Sequence, residues 1–229
     1  MMPAPSGELM LMLLADARLP TGAHTQSAGL EPAIRAGLPT ASVPGYIRAR
    51  LRSVTTVEAG AAVVARSRTL AGGTDLVAEL AAVDQAWRAR TISPAMRETA
   101  ALLGRGYTRL LSRMWPQSPA VAALTALRGT SRAVALGVAA ALVGLTAAQL
   151  VRLIGYEEAQ TVAAAALKLQ PLDPMDATGW VIQVQPEIER MARGLSNITD
   201  VVAIPAIGAP LIEQWAEIHA TTTQRLFRA

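Results

Sequence analysis

Metal ligation is the first chemistry this sequence could support. It has two histidines, His24 and His219, and no cysteine. Zinc and nickel sites usually recruit several imidazoles or thiolates. Neither histidine belongs to an HxH, HxxH or HExxH pattern, and the two are far apart in the chain. Each reads as an ordinary polar residue; a weak nickel carrier using His24 and His219 is the alternative. Phosphate chemistry fares no better. A P-loop needs Gly-Lys-Ser/Thr so that an ammonium group reaches the phosphates, and the single lysine, Lys168, sits in ALKLQ inside a helical stretch. There is no G-x-S-x-G elbow and no thiol nucleophile. A dinucleotide fingerprint needs a strand ahead of its glycines, and no stretch reads as a strand. Glu157 and Glu158 are neighbours that point about 100° apart on a helix, and they read as solvated surface charges. The expectation is a chain that is no enzyme and carries no cofactor.

The polar side chains gather instead in RLPTGAHTQSAGLE, residues 18 to 31 of a chain built mostly of Ala, Leu and Val. Leu19-Pro20 ends a first helix and Gly22 permits a tight or positive-φ turn. Ser27 is expected to cap the helix that follows. The result is a rigid corner presenting His24, Thr25 and Gln26, which suits docking because several hydrogen-bonding groups share one constrained loop. The other candidate is the tail, TTTQRLFRA. Three successive Thr disfavour a continued helix. Leu226 and Phe227, between Arg225 and Arg228, suit an anchor-and-clamp peptide in which apolar groups fill a pocket and guanidinium groups meet acids. Residues 220 to 229 are expected to be mobile when alone.

The elements that must position these groups are helices. Apolar residues recur at helical spacing nearly throughout, with no run of strand alternation. Expected helices cover 7 to 17 (capped by Ser6), from Ser27 to near Gly37, 44 to 56, 57 to 70, 75 to 88, Pro94 to about Met114, 118 to 129, 131 to 143, and about 147 to Leu169 behind a Thr146–Gln149 capping box. Residues 176 to 193 are expected to form a helix kinked at Pro186, and a last helix from Pro210 to bury Leu211, Trp215 and Ile218. The helix from Pro94 is expected to bury Met96, Leu103, Tyr107, Leu110 and Met114, with Gly104 and Gly106 allowing close approach. Residues 133 to 151 carry no charge over about the length of a membrane span; their Ala and Gly content reads as buried core helix. The fold class is therefore all-α, one bundle of about ten helices in a single domain over 1 to 229, a length that buries roughly 70% of its unfolded surface.

Charge is uneven. Residues 88 to 132 hold eight Arg against Glu98, while 153 to 217 hold Lys168, Arg190 and Arg193 against nine acids. Such asymmetry concerns charged partners. Nucleic acid is disfavoured, because aromatics are 3% and lysine is nearly absent. An Arg-rich module for nucleic acid or anionic membrane remains the rival reading. Uncharged Ala-rich helix faces are expected to mediate a symmetric dimer. The lack of cysteine and of a basic leader fits a cytoplasmic protein.

Four segments in order resemble the urease accessory protein UreF family. LPTGAHTQSAGLE, which ends at Glu31, is similar to that family's L-P-x-G-A-[FY]-x-x-S-x-G-L-E. RETAALLGRGYTRLL, 97 to 111, is similar to its R-E-T segment, and AAALKLQPLDPMDATGW, through Trp180, to its K-L-x-P-L stretch. The close, PLIEQWAEIHATTTQRLFRA, resembles its P-x-L…H…R-L-F-R-S ending. The chain departs from the pattern at His24, at Thr25-Gln26-Ser27 and after His219. The resemblance implies a helical, dimeric, non-enzymatic scaffold that binds UreD (also called UreH), recruits the GTPase UreG, and so serves nickel insertion into apo-urease. The candidate partner-binding residues are then Pro20, Gly22, His24, Thr25, Gln26, Ser27 and Glu31 in the corner, Arg97, Glu98 and Lys168 on the helices, and His219, Gln224, Arg225, Leu226, Phe227 and Arg228 at the end.

Overall fold

Local start signals set most helix boundaries in the computed structural model, which describes residues 7–228. Twelve α-helices follow one another among them: α1 Gly7–Leu14, α2 Leu30–Arg35, α3 Val43–Leu51, α4 Val54–Ala71, α5 Leu76–Arg90, α6 Pro94–Met114, α7 Pro119–Ala126, α8 Arg132–Leu142, α9 Ala147–Leu169, α10 Pro174–Gln183, α11 Gln185–Leu195 and α12 Pro210–Thr221. No strand occurs among the described residues, and the helices form a single bundle. The Ser93 side chain accepts from the Met96 amide at the head of α6, and Thr146 and Gln149 form the expected capping box on α9. Each such cap contributes about 1 kcal/mol.

α4 and α8 pack against each other at the centre, with α9 alongside both. Residues 133 to 136 and 138 to 140 on α8 are fully buried. Gly137 lets the backbones of α8 and α4 meet: a side chain there would strike Ala62 and Ala65. The uncharged run is thus core, and no described helix is long and apolar enough to cross a membrane. The same burial corrects the expected dimer surface. The Ala-rich faces are spent on α4–α8 packing, because small residues give a close interhelical contact inside the chain as readily as between chains.

Other expectations shift by a turn or a face. α1 ends at Leu14 and leaves Leu9 and Met12 about two-thirds exposed, so it is not buried on all sides. Its proposed cap, Ser6, lies outside the described residues. Pro186 does not kink one helix; it occupies the first turn of α11, where its missing N–H is harmless. α6 buries Leu103, Tyr107 and Leu111 but half-buries Met96 and Leu110 and exposes Met114. The face is turned by its glycines. A Cβ at Gly104 would collide with the Thr130 carbonyl, and one at Gly106 with the Thr21 backbone. α12 buries Ile212, Trp215 and His219, leaving Leu211 and Ile218 exposed. A polar residue takes the inward position because it has partners there.

Candidate partner-binding site

Those partners are the corner and the tail. After Leu19-Pro20 the chain turns at Gly22, whose φ is +94°, into a short 3-10 turn over Ala23–Thr25. The Thr25 hydroxyl donates to the Gly22 carbonyl at 2.8 Å and closes the turn. Ala28 and Gly29 both hold positive φ, and the Tyr46 hydroxyl donates to the Ala28 carbonyl at 2.7 Å. Gly29, not Ser27, occupies the N-cap of α2. The expected cap is corrected here: the Ser27 hydroxyl is fully buried and only 3.5 Å from the Glu31 amide, a weak bond at best.

Glu31, in the first turn of α2, is 1% exposed. Its charge is met from three directions. The Leu226 and Phe227 amides donate to its two oxygens at 2.9 Å each, and the Arg35 guanidinium pairs with it at 2.8 Å. Arg35 also donates to the Gln224 carbonyl. The tail is sewn on further along: the Arg228 amide donates to the Thr25 carbonyl at 2.8 Å, and Arg225 to the His219 carbonyl at 3.1 Å. Residues 222 to 228, which the sequence led us to expect as mobile, are thus docked along α2 and the corner.

His219 completes the clasp. Its Nε2 lies 3.1 Å from the Phe227 carbonyl and 3.9 Å from Glu31. A carbonyl accepts only, so Nε2 carries the hydrogen, and Nδ1 is buried with no protein partner. Burial holds the imidazole below its ordinary pKa, and the Phe227 carbonyl and Glu31 oppose this without reversing it. Phe227 is buried with the Lys168 ammonium 5.2 Å from its ring centre, a cation–π contact across 59 residues of sequence.

The structure therefore joins Gly22, Thr25, Glu31, Lys168, His219 and Gln224 to Arg228 in one place. Pro20, His24, Gln224, Arg225, Leu226 and Arg228 are exposed there. Gln26 and Ser27, expected to be presented, are buried. Arg97 stands apart: it donates to the Thr91 and Ile92 carbonyls and fastens the α5–α6 connection. Glu98 is exposed and lines a cavity of about 460 Å³ that also touches Gln26, His219, Arg225 and Arg228.

Arg50, Glu58, Arg132 and Glu158 also line that cavity, and they belong to a buried charge cluster that sequence reasoning missed. Glu157 and Glu158 are not solvated. Glu158 pairs with Arg50, both nearly buried. Glu157 accepts from the Tyr107 hydroxyl at 3.2 Å and faces Arg132 at 3.5 Å, and Arg132 faces Glu58 at 3.2 Å. Burial pushes Glu157 up to about 7, against the pull of Arg132 and Tyr107, and raises Glu58 as well. The available signal was two adjacent glutamates in the middle of a largely apolar helix and an arginine heading an apolar one. Among the described residues no three His, Asp or Glu side chains form a group able to hold a metal ion.

The fold and this site define a class: an all-helical protein in which residues 224 to 228 pack against the N-terminal corner and α2. The UreF family model matches residues 39–185. The chain is 36% identical over 227 residues to the urease accessory protein UreF of Mycobacterium marinum, covering 95% of this chain and 97% of that protein. It is 33% identical over 221 residues to the UreF of Mycobacterium sp. (strain JLS), with 95% and 96% covered. To that of Mycobacterium tuberculosis (strain ATCC 25177 / H37Ra) it is 32% identical over 228 residues, with 95% and 97% covered. The chain belongs to the UreF family.

Proposed function

We propose that this chain is a urease accessory scaffold, without catalysis of its own, that docks UreD (UreH) through the corner and tail and recruits the GTPase UreG for nickel insertion into apo-urease. The observation that carries the reading is the Glu31 clasp. It holds residues 224 to 228 in one conformation beside the corner, so that Leu226, 62% exposed, and Arg225 and Arg228 stand out as a ready anchor and clamp. A prearranged peptide binds with less ordering entropy lost than a mobile one. The reading includes a cytoplasmic homodimer. The rival nickel-carrier reading is disfavoured by His219, whose Nε2 faces a carbonyl and whose Nδ1 is enclosed. Co-expression with UreD and UreG tests the proposal. A complex containing all three that purifies with the wild type, and loses UreD with Leu226→Ala, supports it. Equal recovery of UreD with Leu226→Ala, Arg228→Ala and the double variant contradicts it.

A further inference from the structure

Some of the arginines at the surface of this molecule meet an acid. Arg52 reaches Glu187 at 2.6 Å, Arg88 reaches Asp84 at 2.5 Å, and Arg152 reaches Glu189 at 2.7 Å. Arg128, Arg193, Arg225 and Arg228 are exposed and do not, among the described residues, and on the outward face of α6 three such arginines stand in register. Arg105, Arg109 and Arg113 are exposed, at i, i+4 and i+8, and none forms an ion pair with a described residue. At about 100° and 1.5 Å per residue they stand within about 80° of one another and span roughly 12 Å. Arg109 is steadied by its Nη2, which donates to the Pro20 carbonyl at 3.3 Å. Two turns before Arg105, on the same face, Glu98 is exposed.

We propose that this face of α6 docks an acidic helical segment of a partner protein, one that carries carboxylates at successive i, i+4 positions and a basic residue opposite Glu98. The pitch of the three guanidinium groups matches carboxylates on every fourth residue of a facing helix. Guanidinium groups are weakly hydrated and can take a carboxylate through two hydrogen bonds, which suits this role better than lysine would. Glu98 decides between protein and nucleic acid. A phosphate chain is negative along its whole length and would meet repulsion at the head of the stripe, whereas a helix can reverse its sign there. The face includes none of the tail or Glu31 clasp residues, so the inference stands or falls apart from the tail reading.

The test uses the full chain and two fluorescently labelled, alanine-based 18-residue helical peptides. Each carries Glu at three successive i, i+4 positions, with a Lys seven residues before or after them. Anisotropy should show one of them binding at low salt and weakening as salt is added. The triple variant R105Q/R109Q/R113Q, with unchanged circular dichroism, should lose about tenfold in affinity, since each exposed pair contributes little alone. Glu98→Gln should weaken the Lys-bearing peptide and strengthen a peptide with Gln in place of that Lys. That reversal of sign cannot come from misfolding. Leu226→Ala should leave peptide binding unchanged. The inference is overturned if neither peptide binds at millimolar concentration, if the triple variant binds as the wild type does, if Glu98→Gln shifts both peptides alike, or if an 18-base single-stranded DNA binds more tightly than the peptides.

Discussion

Glu31 has almost no water around it, so two tail amides and Arg35 must meet its charge. Glu31→Gln keeps the shape but turns one acceptor oxygen into a donor that faces an amide N–H. Charge-assisted bonds of this kind contribute roughly 1.5–3 kcal/mol, so the variant should lose about 2 kcal/mol in a urea titration and expose the tail to proteolysis. His219 adds a pH dependence. Its folded pKa lies below its ordinary 6.5 because it is buried. The unfolded chain therefore takes up the proton first as pH falls. Stability from this group is complete above pH 6.5 and declines as the pH drops through the lowered value. His219→Gln, which can still donate to the Phe227 carbonyl, should flatten the stability curve between pH 6.5 and 5. The packed tail was not legible in the sequence. TTTQRLFRA reads as a peptide waiting for a pocket, and the pocket is made by a carboxylate 195 residues earlier.

At the scale of elements, α6 fits its neighbours through missing side chains. Gly106→Ala would drive a methyl group into the Thr21 backbone. Overpacking of this kind costs about 1–3 kcal/mol, and the displaced corner should bind UreD more weakly than wild type in a pull-down. Close approach at Gly104 and Gly106 could be expected from two glycines in a long helix, but which neighbour approached could not. The Ser93-Pro94 start and the Thr146–Gln149 box were legible because a cap depends on residues three apart. Glu157 and Glu158 were misread for the opposite reason. Their burial is tolerable only because Arg50, Arg132 and Tyr107 arrive from α3, α8 and α6. Since Glu157 titrates near 7 instead of 4.5, the folded state holds its proton more tightly than the unfolded one. Its contribution is complete below pH 4.5 and is lost as pH rises through 7. Glu157→Gln should thus gain stability relative to wild type between pH 5 and 8, by up to about 3 kcal/mol, read from denaturation midpoints at the two values. His219 acts in the opposite direction, so the variant and not the wild-type curve isolates the effect.

For the molecule as a whole, the helical class and the helix order follow from periodicity, while the inner and outer faces of α6 and α12 follow from partners far along the chain. The uneven charge seen in the sequence resolves in part into two different things: four buried or paired acids on α9 and α11, and the unpaired arginine face of α6. Self-association remains part of the proposed scaffold role, and sedimentation showing monomer alone at micromolar concentration would remove it. The central claim is that the corner and the docked tail together form the surface that UreD meets. The most direct measurement is a calorimetric titration of UreD into the wild type and into Leu226→Ala, whose exposed side chain can be cut back without disturbing the Glu31 clasp. The account predicts an affinity lower by about tenfold or more, as for a central anchor residue, with an unchanged melting temperature. Equal affinities for the two proteins would contradict it.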